Sequence, residues 1–189
     1  MGVKKGVAFL LFAISLTSAN LFMFSFVLTM QTGDSYAFHD TVKVEVFRQG
    51  RLVFSSMSPN LITNAGQDVI SRQTGCGATS APACANGGIY IALTTDSTAP
   101  AAGDTTCTSE LTTNGLGRAL GTYAHTASTN THTITKTFTY TGSSAVVIAK
   151  VCMFDASSSG NMFAETLLAS TATVNANGDQ VTITWTFNH

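Results

Sequence analysis

The chain has 189 residues, of which 9 are Lys or Arg and 10 are Asp or Glu, for a formal net charge of −1. Charge this sparse excludes the basic stripe of a nucleic-acid binder and the low-hydrophobicity, high-charge make-up of a disordered tail. A Thr-rich polar set fits pleated sheet instead, and the length allows one domain with its own core.

In chain order, the first element is an apolar leader. Val7–Met30 carries no charged residue; at ~1.5 Å per residue it makes a helix of roughly 36 Å, long enough for a bilayer. Lys4 and Lys5 precede it and Asp34 follows, so the positive-inside bias puts the N-terminus in the cytoplasm and everything after Gly33 outside. Three fates stay open. The span is a retained membrane anchor. Or it is a secretory signal, cut at Thr17-Ser18-Ala19 or after Ser35-Tyr36-Ala37. Or it is cut after Gly6, where "KKGVAFLLF" resembles the signal of archaeal pilins and flagellins. Each delivers the rest outside, so residues 1–34 read as a leader and 38–189 as an extracellular domain.

Next, Val42, Val44 and Val46 alternate with Thr41, Lys43 and Glu45, the period of a half-buried strand. "RQG" turns the chain, Arg51–Ser56 returns as the second arm of a hairpin, and Pro59 ends it. "NLITNAGQDVISRQTG" predicts a helix, with Thr63 or Asn64 as cap, Arg72 late and Gly75 as stop. "CGATSAPACANGG" is a loop, "IYIALTT" a short buried strand and "DSTAPAAGDTTCTSELTTNG" a long polar connection. Strands then recur: "GRALGTYAHT", "THTITKTFTYT", "AVVIAKVCMF", "MFAETLLAST" and "DQVTITWTFN". Short strands at this spacing predict an all-β fold, an antiparallel β-sandwich (Ig-like or jelly-roll-like) with one short helix, preceded by the hydrophobic leader helix. Val181, Ile183, Trp185 and Phe187 share one face of the last strand; Ile134, Phe138 and Tyr140 share one face of an earlier one. These rows are the expected core, and rows of Thr form an uncharged exterior able to hydrogen-bond to a neighbouring subunit without desolvating charge.

Four cysteines, Cys76, Cys84, Cys107 and Cys152, point to disulfides in an exported domain. Cys76 with Cys84 closes most easily and Cys107 can reach Cys152, but spacing alone leaves all three pairings open. Zinc needs Cys-x-x-Cys spacing or close His partners, which are missing; no metal or cofactor is expected. His125 and His132 become cross-strand neighbours if Ser128-Thr129 is a two-residue turn. Asp40, Glu110, Asp155, Glu165 and Asp179 are spread along the chain, and nothing in the spacing pairs two of them as a glycosidase requires. "SSSG" is no nucleophile elbow. No catalytic residue is assigned and no enzyme is expected.

"LITNAGQDVI", "YIALTTDSTAPAAGDTT", "GLGRALGTYAHT", "ITKTFTYTG" and "GDQVTITWTF" follow one another in an order that resembles a loose group of β-sandwich structural proteins. That group includes tail and virion proteins of bacterial and archaeal viruses and surface proteins of archaea. More distantly the chain is similar to archaeal extracellular pili and threads, in which an N-terminal strand of one subunit completes the next. The resemblance implies a self-assembling extracellular filament subunit, with Thr41, Val42, Val44 and Val46, within residues 40–47, as the donated strand. A virion spike or tail-associated protein is the alternative; a membrane-anchored glycan- or receptor-binding module, gripping through "SAPACANGG" and "DASSSGN", is the third. The expected partners are other copies of the chain, and the membrane through Val7–Met30 if that span is kept.

Overall fold

A computed structural model describes residues 40–75 and 86–188. The leader span Val7–Met30, with its expected helix, and Cys76 and Cys84 lie outside the described residues. Among the described residues, no helix is long and apolar enough to cross a membrane.

The elements are β1 (Thr41–Arg48), β2 (Arg51–Pro59), β3 (Leu61–Ile62), α1 (Asn64–Gly75), β4 (Tyr90–Thr94) and β5 (Ala119–Leu120), followed by β6 (Thr122–His125), β7 (Thr131–Thr139), β8 (Val146–Phe154), β9 (Met162–Val174) and β10 (Gln180–Asn188). They build two five-stranded sheets, ordered β2-β1-β10-β7-β6 and β3-β9-β8-β4-β5. Neighbouring strands run antiparallel throughout. One core joins the sheets: Val42, Val44, Val46, Ile134, Phe138, Val181, Ile183, Trp185 and Phe187 from the first, Ile91, Leu93, Ile148, Val151, Met153 and Ala172 from the second. Strict alternation in β1 and β10 sets the register, because a one-residue slip would turn every apolar side chain outward. Val42, Val44 and Val46 thus sit opposite Trp185, Ile183 and Val181.

The chain changes sheets four times, twice through a single residue. Asn60 separates β2 from β3, and Gly121 separates β5 from β6. "GRALGTYAHT" therefore forms two strands in different sheets rather than one. Gly121 donates its N–H to the Ile89 carbonyl at 2.8 Å, and a Cβ there would come within 2.5 Å of Ile134 Cγ2. Only a residue without a side chain passes between the sheets at that point.

Thr63 caps α1: its hydroxyl accepts the Gly66 N–H at 3.1 Å and donates to the Met162 carbonyl. The cap thereby ties the helix start to β9, and Val69 buries its side chain in the core. In the β9–β10 connection, Asp179 is buried and accepts from Arg48 Nε (3.2 Å) and Nη2 (3.1 Å) and from the Asn175 and Ala176 N–H groups (2.9 and 3.2 Å). The Arg48 guanidinium, helped by these backbone donors, holds the Asp179 carboxyl below the usual carboxylate range.

Two outcomes follow. Trp185 has no exposed surface, so Trp185→Ala should lose about 3–5 kcal/mol, read from chemical denaturation of the folded domain. Asp179 has a depressed native pKa, so its contribution is complete above the unfolded value of about 3.9 and disappears as pH falls through the native one. Asp179→Asn should destabilise at neutral pH and flatten the acid limb of the stability profile; an unchanged acid limb would refute this role.

Candidate functional site

The outer face of the second sheet is covered. From Ile148 to Phe154, every residue of β8 is buried. Alternation sends Ile148, Val151 and Met153 towards the first sheet and Lys150, Cys152 and Phe154 the other way, a bulge between Ile148 and Lys150 adjusting the phase. The long polar connection, residues 95–118, closes over that second face.

Three fastenings hold it. Cys107 and Cys152 form a disulfide, packed with Ala92, Phe154, Met162 and Tyr90 as a small second core. At the far end, Arg118 reaches Glu110 through two parallel bonds (Nε–Oε1 3.0 Å, Nη2–Oε2 2.6 Å) and lies 3.5 Å over the Phe154 ring. Its third nitrogen donates to the Ser159 carbonyl at 2.8 Å, fixing the loop after β8. Between these sits Lys150, 3% exposed, with Nζ at 2.9 Å from Asp96 Oδ2 and 3.2 Å from Glu165 Oε2. Glu165, 1% exposed, also accepts the Ala101 N–H at 3.0 Å, which is shared with Asp104 Oδ2 at 2.9 Å.

The electrostatics follow from burial and proximity. Burial pushes the Glu165 carboxyl up, and a hydrogen bond with Asp104 adds to it against the pull of Lys150. Asp104 is held low, chiefly by that bond with Glu165. Asp96 is lowered to about 2, first by the Thr98 hydroxyl and then by Lys150. Burial presses Lys150 down, but its bonds to Asp96 and Glu165 outweigh this and its net shift is upward. A buried ammonium without such partners would be strongly destabilising.

Other expected site residues take the following places. Val42, Val44 and Val46 lie in β1, wholly buried, with Thr41 half-buried at its start. Here the structure departs from the reading of residues 40–47 as a strand to be given away. β1 lies between β2 and β10, and both of its hydrogen-bonding edges are used within its own chain. The immediate return of β2 and the matching alternation of β10 are the physical reason. Ile134, Phe138, Tyr140, Ile183, Trp185 and Phe187 are buried. His125 and His132 are register partners, across a loop of residues 126–130 rather than a two-residue turn, and His132 stacks on Phe187 at 4.7 Å. No cluster of three metal-ligating side chains occurs among the described residues. The gathering of Asp96, Asp104 and Glu165 around Lys150 was not visible in the spacing; the one signal was a lysine inside an otherwise apolar strand.

Among the described residues, the edge strands of the first sheet are β2 and β6, and the end of β2 meets β9 through the Ala169 N–H, which donates to Ser58 Oγ at 2.8 Å. β2 leaves Leu52, Val53 and Met57 exposed, the last by 62%. The outer face between the edges carries Thr137 and Thr182, whose hydroxyls bond at 2.9 Å.

Removing the disulfide should release the connection while the two sheets stay folded. Cys107→Ala with Cys152→Ala should cost about 2–4 kcal/mol and raise amide hydrogen exchange around Thr105–Ser109; unchanged exchange there would show that the other fastenings suffice.

No curated protein matches the chain. A model of the family described as podophage GP4 fiber I protein gp80 matches residues 66–186, more than half of the chain, from α1 through most of β10. The expected likeness to viral tail and virion modules has this match behind it, whereas archaeal surface proteins and pili find no support in the comparisons. The chain belongs to the podophage GP4 fiber I protein gp80 family.

Proposed function

We propose that this chain is a non-enzymatic structural component of a phage fiber, displayed on the particle surface and associating with copies of itself. The observation that carries the reading is the family match across residues 66–186, which spans all of the second sheet but β3 and, in the first, β6, β7 and most of β10. The body is of the Ig-like or jelly-roll-like kind, with its covalent and ionic fastenings concentrated on one sheet. Its role is mechanical: to keep shape and to present edges and faces for assembly.

The first sheet supplies the contact surface. Its outer face is rich in hydroxyls, and β2, an edge strand among the described residues, exposes Leu52, Val53 and Met57. Edge strands with apolar side chains are templates for pairing with another chain. The extracellular pilus by strand donation is the weaker reading, since donation would require β1 to leave two strands of its own subunit.

Leu52→Glu with Met57→Glu tests the surface. Both side chains are more than half exposed, so the variant should keep its thermal unfolding temperature while its oligomer dissociates in light scattering. A wild-type chain that is monomeric at every concentration, and undetectable on particles by antibody labelling, would overturn the proposal.

A further inference from the structure

The cluster under the connection has the composition and geometry of a self-acylating site. A primary amine is buried against a carboxylate, with a second carboxyl touching the same amine. Lys150 Nζ is 2.9 Å from Asp96 Oδ2 and 3.2 Å from Glu165 Oε2. Asp96 is itself oriented: the Thr98 N–H donates to Oδ1 at 3.1 Å and the Thr98 hydroxyl to Oδ2 at 2.7 Å. The same hydroxyl lies 3.3 Å from Nζ. Glu165 is fixed by the Ala101 N–H.

The geometry points to an intramolecular amide between Lys150 Nζ and Asp96 Cγ, formed by the chain itself with Thr98 as proton carrier and Glu165 steadying the amine. The pair rests as ammonium and carboxylate, and reaction starts from its neutral tautomer. One ammonium proton crosses the hydrogen bond to Oδ2, leaving Nζ with a lone pair. Nζ attacks Cγ and the C–N bond forms, while the charge developing on Oδ1 is met by the Thr98 N–H. Glu165 Oε2, at 3.2 Å, steadies the positive charge that develops on nitrogen, and the second proton leaves nitrogen for Thr98 Oγ1 as the Thr98 hydroxyl passes its own proton to Oδ2. The Cγ–Oδ2 bond breaks and water leaves. Two protons and one oxygen depart as water, the amide keeps one N–H, and no oxidant or activated co-reactant is needed. The hydrogen bonds around the pair favour its ion-pair form, so the neutral tautomer is a minor state; what the fold supplies is held contact between the groups, which replaces an encounter between them. The product would be a second covalent clasp beside Cys107–Cys152, one that reducing agents do not open. It would join β8 to the start of the connection, and it stands independently of the fiber reading.

The test is peptide mapping of the full chain after reduction. An unreacted chain gives trypsin products 73–118, 137–150 and 151–189 as separate linear peptides. The proposed amide removes the cleavage at Lys150 and yields one branched product joining 73–118 to 137–189, lighter than their sum by one water. Asp96→Asn should give the same branched product with loss of ammonia instead of water; Asp96→Ala should give only linear peptides. Glu165→Gln, of the same shape, should slow branching at least tenfold in a time course after refolding. Linear peptides from the aged wild-type chain would overturn the proposal. Water loss confined within 137–189 would overturn the choice of Asp96 by assigning the acceptor to Glu165, and branching in Glu165→Gln at the wild-type rate would overturn the role given to Glu165.

Discussion

A strand buried on both faces needs cover on both sides, and β8 imposes that requirement on the whole second sheet. From Ile148 to Phe154 nothing on it reaches solvent. The first sheet covers one side. Among the described residues no third sheet or helix meets the other side, and the connection between β4 and β5 covers it. A polar segment makes a poor lid, because its backbone groups and carboxylates must be satisfied wherever water is excluded. That is why the face beneath it is mixed: Cys152 and Phe154 supply apolar contact, while Lys150 answers Asp96 and Glu165. The disulfide holds the lid against the entropy of a long loop, and Arg118 closes its far end on Glu110, Phe154 and the loop after β8.

The parts of this arrangement differ in how openly the sequence states them. β1 and β10 are legible residue by residue, since each has one buried and one solvated face and the alternation of Val or Ile with Thr records it. β8 is legible as buried but not as to what buries it: "AVVIAKVCMF" reads the same under a helix, a sheet or a loop. Asp96, Asp104 and Glu165 look scattered because sheet pairing and the fold of the connection, rather than local spacing, bring them to one lysine. Composition calls residues 96–115 a loop, which is correct for the backbone and silent on its role as a layer. The break at Gly121 was written in the sequence as an isolated glycine within a strand pattern, a sign of close backbone approach. Read as one strand, that stretch concealed the crossing from one sheet to the other.

The two sheets therefore divide the labour. The second is closed, its outer face occupied by its own chain and pinned by covalent and ionic fastenings. Among the described residues the first is covered on its inner side; its exterior is hydroxyl-rich, and its β2 edge shows apolar side chains to solvent. Contacts between subunits are easiest along an edge strand, and the first sheet supplies one in β2, with the ion pair Lys43–Glu45 on the neighbouring outer face. A fiber subunit built this way would take strain through the closed sheet and make its neighbours through the open one. The stiffness of the lid and the location of the contact surface then have one cause: the long polar connection covers β8, and among the described residues no such layer lies over the threonine face.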